Sequence, residues 1–355
     1  MASSPRTYTG VLHVHTVQSG GYGTLEEVVE AAKKNEVDFV VLTDHGTLGY
    51  GLENQEGWHD GVLVLCGEEV STPTGHLLAF ESREEIGKRE TVEEALEEIR
   101  RQCAVSVSIH HQLPRGKSPN PRIPPPPVPM EQTDLLEIWS FMDEFLSRTN
   151  SKYVLQAAAR AEKMLLGPNR KLLWKWDREL ERRRLPIVGG LNVHQRKDPL
   201  LDWKVLFPYD LAFQTICTCI HTQELPTVWL RARDMVWSAL REGRSHVANR
   251  VIASEKGFQF EFVSVTGRRR AMGEDVAYTP NGRFHICLPQ PAEVVLRHNG
   301  QPLFWGTSSE TSFPAAGPGS YRVEVYLNRK LWILSNPIRL IDEEGVLQPT
   351  VSDVT

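Results

Sequence analysis

Up to about residue 245 the chain alternates short, mostly apolar runs with stretches whose apolar residues recur every three or four positions, an order that yields parallel β/α architecture. The runs at 10–14, 38–42, 62–65, 76–80, 105–109, 135–139 and 187–190 predict strands buried on both faces. A helix is predicted to open at Thr24, where Glu27 three positions on completes a capping-box pattern and Leu25, Val28, Val29 and Ala32 share one face. Thr91 and Glu94 repeat the pattern ahead of Val92, Ala95, Leu96 and Ile99. A third helix through Trp229, Ala232, Val236 and Leu240 is predicted to stop at Gly243. The proline-rich stretch 118–130 can be neither helix nor central strand, and reads as an extended connector or a wall beside a site.

After Asn249 the pattern changes to alternation, with Phe258, Phe260 and Phe262 on one face and Tyr321, Val323, Val325 and Leu327 on another. Asn299-Gly300 is a hairpin signal, and Pro280-Asn281-Gly282 and Gly317-Pro318-Gly319 mark further turns. The expected architecture is therefore a β/α barrel over residues 1–250 and a small antiparallel β-sandwich over 251–355, which suits 355 residues better than one core would.

With 40% hydrophobic and 24% charged residues and no apolar run of membrane-spanning length, the composition is that of a soluble globular protein. The first residues carry one arginine and no apolar segment of signal-peptide type, and a cytoplasmic location is expected. Five scattered cysteines read as reduced core thiols, with Cys217-x-Cys219 as core packing on one strand face. A net charge of -5 argues against a general nucleic-acid binder. A small anionic or ester-like molecule is the expected partner, and a homo-oligomer is compatible with the sequence.

Histidines and carboxylates fall at strand ends. His13 and His15 end the first run, Asp44 and His45 follow the second, Glu68 and Glu69 the third; His110 and His111 follow the strand at 105–109, and Asn192 and His194 the last. In β/α barrels the carboxyl ends of the strands converge on one face, so these residues are expected in a single cavity. Only His76, at the start of its run, breaks the rule. Imidazole and carboxylate are ligands of zinc, manganese and iron, and the spacing of His13 and His15 lets both point one way from a strand. Two metals roughly 3.5–4 Å apart would activate a water for hydrolysis.

The ordered segments LHVHT, LTDHG, CGEEVSTPTGHLLAF, SIHHQ and GGLNVH, spread over residues 10–194, resemble the polymerase and histidinol phosphatase (PHP) superfamily. GEEVSTPTGHLLAF, SALREGRSHVANR and YRVEVYLNRKLWILSNPI are similar to its carbaryl-hydrolase-like branch. The resemblance implies a distorted barrel of seven β/α units, a TIM-like barrel, holding two or three divalent ions. It implies that His13, His15, Glu69 and Asn192 serve one ion, that Glu69 bridges to a second held by His76 and His110, and that His45 and His194 belong to a third site. Asp44 is then a supporting residue. The carboxylate or histidine that usually completes the third site is replaced by Gly20 and Gly21, and the aspartate of the last motif by Asn192.

His13, His15, Glu69 and His110 are the expected catalytic core. Arg244, Arg115 and His111 are further candidates for binding an anionic substrate or protonating a leaving group. The leading expectation is a phosphoesterase using a metal-activated water. Hydrolysis of a carbamate, carboxylic ester or amide is the second, and a catalytically weakened metal-binding protein the third.

Overall fold

A computed structural model describes residues 5–113, 125–149, 158–197 and 205–342. The first part of the chain runs β1 (Arg6–His15), α1 (Leu25–Lys34), β2 (Phe39–His45), β3 (Gly57–His59), β4 (Val62–Thr72), β5 (Gly75–Phe80), α2 (Val92–Arg101), β6 (Val105–Ser108), β7 (Leu135–Ser140), α3 (Phe141–Arg148), α4 (Arg170–Leu180), β8 (Ile187–Gly190) and β9 (Val193–His194). A short pair β10 (Arg196–Lys197) and β11 (Val205–Leu206), the helical turn α5 (Tyr209–Ala212), β12 (Ile216–Thr222), α6 (Trp229–Glu242) and β13 (Ser245–Asn249) complete it. The capping signals act as the spacing predicts. Thr24 and Glu27 form the reciprocal box, the Thr91 hydroxyl accepts from the Glu94 amide, and Gly243 caps α6 in the left-handed conformation at φ 74°.

The architecture is a mixed α/β fold around one large sheet, and the uniform parallel alternation expected from the sequence is not what it shows. Pairs β1–β2, β2–β4, β6–β7 and β7–β8 are parallel, but β5 runs antiparallel to both β4 and β6, and β12 antiparallel to β1. The reversal has a local cause. Thr72 accepts from the amides of Thr74 and Gly75 and donates to the Gly75 carbonyl, so β4 turns back on itself without a crossover helix. β9 pairs with the end of β1 through Val14↔Val193 and His15↔His194.

One irregularity aims the first motif. Strict alternation would put His13 and His15 on the same face as Thr9 and Val11. The register slips between Leu12 and Val14, with His13 at φ 62°, so Val14 joins Val11 in the cluster against α1 while Leu12 packs in a different one. With Val11 and Val14 both packed on the α1 side, this extra residue resets the alternation so that His15 shares the face of Leu12.

The remaining strands are β14 (Gln259–Val263), β15 (Arg269–Ala271), β16 (Asp275–Ala277), β17 (Arg283–His298), β18 (Gln301–Pro314), β19 (Gly319–Leu327), β20 (Lys330–Ser335) and β21 (Ile338–Ile341). They are mostly antiparallel, with β16–β21 a parallel exception. Asn299 (φ 48°) and Gly300 (φ 78°) make the tight β17–β18 turn, which needs two left-handed residues. The region packs against the first. β13 pairs with β12 on one side and with β20 on the other, and Leu331 and Leu334 belong to the same apolar cluster as Trp176, Leu185 and Ile187.

A buried charge network crosses this junction. The Arg322 guanidinium donates to both oxygens of Asp177 on α4 (2.6 and 2.7 Å) and to Glu324 (2.7 Å), which also accepts from Arg297 (2.7 Å). Burial opposes the charge on Glu324 more than any other single effect, yet Arg322 and Arg297 together hold its carboxyl at about 2. Because the folded value lies below the unfolded one, this stabilisation is complete above pH ~4.5 and is lost as pH falls towards ~2. Glu324→Gln is expected to flatten the acid limb, seen as a smaller drop in the urea midpoint between pH 4.5 and pH 3 than in the parent. An equal drop in both proteins would contradict this.

Candidate metal centre

Glu69 is the hub of the site. Its side chain is 1% exposed, and among the described residues five imidazoles from four different segments approach its two oxygens. His13 Nε2 (3.0 Å) and His15 Nε2 (3.1 Å), from the end of β1, approach Oε2; His76 Nδ1 from β5 (2.7 Å), His110 Nε2 (3.4 Å) and His45 Nδ1 from β2 (3.5 Å) approach Oε1. His194, at the end of β9, faces His45 with their Nε2 atoms 3.2 Å apart and stacks on His15 at 3.8 Å between ring centres. The exception noted in the sequence now has a reason. β5 is antiparallel to β4, so its first residues lie at the same end of the sheet as the last residues of β1 and β2, and His76 arrives with the rest.

Two carboxylates that the sequence pattern did not single out stand behind the cluster. Glu137 Oε2 on β7 is 2.7 Å from His13 Nδ1, and Asp143 on α3 lies 3.2 Å from His110 Nδ1. Both are buried. Each holds the far nitrogen of an imidazole whose near nitrogen faces Glu69, the arrangement that fixes ring orientation and raises ligand basicity in metal sites. The backbone contributes too, since His13 (φ 62°), His110 (φ 63°) and Asn192 (φ 49°) all adopt the left-handed conformation that non-glycine residues seldom take and that gathers at functional sites. Gly190 is required here, because a Cβ would lie 1.8 Å from Glu137 Oε2.

The electrostatics match a cation-binding set. Burial disfavours charge on His13, but Glu137 and Glu69 outweigh it and raise its pKa to about 9. At His110 burial is again opposed, by Asp143 and Glu69, and the pKa rises well above the ordinary value. Burial dominates at His15, lowered to about 3, and at His194 and His45, also lowered. Glu69 is driven well below the usual carboxylate range, burial being overcome by its histidine partners.

The donor set fits divalent ions. Among the described residues neither buried ring nitrogen of His15 makes a well-aligned hydrogen bond, Nε2 only approaching Glu69 Oε2 at 3.1 Å, a costly state that a cation would relieve. Within this cluster, among the described residues, three groups have ligand atoms close enough to share an ion: His13, His15 and Glu69; His45, Glu69 and His76; and His15, His45 and His194. Nitrogen and oxygen donors of this kind suit zinc, manganese or iron. The floor is closed and the mouth open, since the His13 and His15 side chains are fully covered whereas His45 is 33% and His76 17% exposed.

Asp44 accepts from the Thr16 amide and hydroxyl (both 2.7 Å) and the Ser19 hydroxyl (2.6 Å), so it braces the loop after β1 and not the His45 ring. Glu68 accepts from the amides of Ile86 and Gly87, as befits a neighbour of the cluster. The Gly21 amide closes the 16–21 loop on the Thr16 carbonyl, and a Cβ there would meet that oxygen at 2.9 Å, so the position leaves no room for a third-site carboxylate. His111 bonds to the Ser108 hydroxyl beside the cluster. Arg115 lies outside the described residues.

Arg244 is not brought to the histidine cluster. It precedes β13, where Ser245 pairs with Ile220 and Ile220 with Tyr8, five residues before His13 on β1. Arg244, one residue further, is level with Thr7, roughly 20 Å along the sheet from the cluster. It binds Glu242 and Ser238 there.

Asn192 donates from its amide nitrogen to Asp143 (2.9 Å). Asn192→Asp would set a second carboxylate beside Asp143 and add negative charge next to the cluster. We expect slower loss of metal to a chelator; unchanged metal retention would contradict this.

No family model matches the chain. It is 31% identical over 124 residues to the uncharacterized protein MJ1587 of Methanocaldococcus jannaschii, an alignment covering 32% of this chain and 72% of that protein. The chain belongs to the MJ1587 family. Among solved structures it is similar to a two-domain protein of Bacteroides vulgatus containing a predicted PHP-like metal-dependent phosphoesterase (14% identity, TM-score 0.46, covering 96% of this chain and 98% of that one). PsfC from Pseudomonas syringae is also similar (14% identity, TM-score 0.36, covering 62% and 83%). No helix among the described residues is long and apolar enough to cross a membrane.

Proposed function

We propose that this MJ1587-family chain is a metal-dependent hydrolase of the PHP type that cleaves phosphate esters. The observation that carries the reading is one buried carboxylate, Glu69, shared by five histidines whose outer nitrogens are in two cases held by further buried acids. In this reading His13, His15 and Glu69 hold one ion, and Glu69 with His76 and His110 a second. His45 and His194 stand at a third position. When bound, such ions polarise phosphoryl oxygens and supply an activated water at neutral pH. The chain's own residues do the rest. Glu137 and Asp143 fix the tautomers of His13 and His110, Asp44 braces the loop beside His15, and the partly exposed edge at His45 and His76 admits the substrate.

The same reading takes the first 250 residues as a distorted (β/α)7 barrel, supported by the return of β9 onto β1, and the remainder as a sandwich appended to it. The test is a metal-defined preparation assayed against phosphomonoesters, phosphodiesters and aryl carbamates, with chelated protein as control. Metal-dependent turnover of phosphate esters is the expected result. Turnover confined to carbamates would replace it with the carbaryl-hydrolase-like activity, and tight metal binding without turnover of any ester would overturn it.

A further inference from the structure

Away from the histidine cluster, the sheet carries a second group of ligand-type side chains. Cys217 and Cys219 lie on one face of β12, with their sulfurs 3.6 Å apart. Thr9 on β1 sits opposite Cys219 in the register, with its hydroxyl 3.9 Å from that sulfur. The same hydroxyl donates to Oε1 of Glu255 (2.9 Å), which comes from the segment between β13 and β14. Cys217, Cys219 and Glu255 are all 0% exposed.

The sequence offered only core packing for the cysteine pair, because no second pair follows at zinc spacing. The fold supplies what spacing could not show, namely a carboxylate from well beyond the end of β12, brought beside the sulfurs. Among the described residues Glu255 Oε2 is buried with no hydrogen-bond partner, and its ion pair with Arg250 Nε is long at 3.6 Å. An acid in that state within an apolar cluster is costly unless something else compensates it. The three ligand atoms lie within 4.8 Å of one another. Tetrahedral zinc with sulfurs at about 2.3 Å separates them by roughly 3.8 Å, close to the spacing seen. Two thiolates and a carboxylate bring three negative charges, which a dication and the Arg250 guanidinium offset.

We propose that Cys217, Cys219 and Glu255 form a separate structural site for a thiophilic divalent ion of the zinc type, with the Thr9 hydroxyl on its fourth side. Thr9 precedes His13 by four residues, about 13 Å of strand, so the site is distinct from the histidine cluster. It joins β1 and β12 to the segment that leads into the C-terminal strands. Because the ligands are fully covered, the ion is taken up as the chain folds.

The test uses the full chain produced in cobalt-supplemented medium and purified under reducing conditions. Cobalt bound to thiolate gives a near-ultraviolet sulfur-to-metal charge-transfer band, which the histidine cluster, having no sulfur donor, cannot give. The band is expected in the parent and in Glu69→Gln, and is expected to vanish in Cys217→Ala and Cys219→Ala. Protein made without added cobalt is expected to hold about one more equivalent of transition metal than the Cys217→Ala/Cys219→Ala double variant. Absence of the band in the reduced parent overturns the proposal with no variant needed. So does its persistence in the double variant, which would assign it to other cysteines, and so does undiminished metal retention in Glu255→Gln.

Discussion

Glu69→Gln is expected to strip the histidine cluster of its metal and abolish metal-dependent turnover, with a fall in metal affinity of more than about 100-fold. Partners in the outer layer of metal sites typically contribute roughly 10–100-fold, and Glu69, which the proposed function places in the inner layer, faces five imidazoles with a carboxylate that an amide cannot replace in charge. Glu137→Gln provides the graded comparison. It removes charge from behind His13 while leaving Glu69 in place, and should cost affinity within the range of roughly 10–100-fold. Direction can be checked through protons as well as metal. Without metal, Glu137 and Glu69 keep His13 protonated to about pH 9 despite burial, so metal uptake at neutral pH must release protons. Metal analysis after dialysis, with proton release measured in weak buffer, tests the set. If Glu69→Gln bound metal like the parent, the assignment of the centre would fail.

Asp177→Ala is expected to be the most destabilising change outside the metal centre, by about 3–5 kcal/mol, the usual cost of removing one member of a buried ion pair. Arg322, 2% exposed, donates to both Asp177 oxygens and lies over the Trp176 ring at 5.0 Å. Losing Asp177 leaves the guanidinium with Glu324, which Arg297 already shares. The effect should appear in chemical denaturation as a loss of stability with metal binding at the histidine cluster intact. Replacing both members by apolar residues of similar volume, Asp177→Leu with Arg322→Met, should recover much of the loss, because neither charge is then stranded. A loss below about 1 kcal/mol in Asp177→Ala would show the pair to be dispensable.

The histidine cluster was legible in the sequence to a large extent, for a physical reason. His13, His15, His45 and His194 lie at or beside the ends of parallel strands, and parallel strands deliver their ends to one place. His76 was legible as an exception only, since periodicity shows that 76–80 is a strand but not which way it runs. Glu137 and Asp143 were missed because a single acid in an apolar run, or on a short helix, looks the same whether it braces an imidazole or meets water. Their burial is visible only once β7 and α3 are placed against β1 and His110. The position of Arg244 was illegible from the opposite cause. A cationic residue at a helix end near a familiar motif says nothing about which end of the sheet it occupies. The strands after residue 250 were readable from turns and alternation, but their attachment to β13 was not, because edge pairing between distant segments leaves no local pattern.

That attachment bears on how the polypeptide can be divided. With Val247 bonded opposite Leu334 and His246 opposite Ser335, a truncated chain ending near residue 250 would carry a bare ribbon of unsatisfied amides and carbonyls where β20 had been. Such a margin invites neighbouring molecules to zip onto it. Fragments cut there would self-associate, and the histidine-bearing portion is best studied with its tail in place.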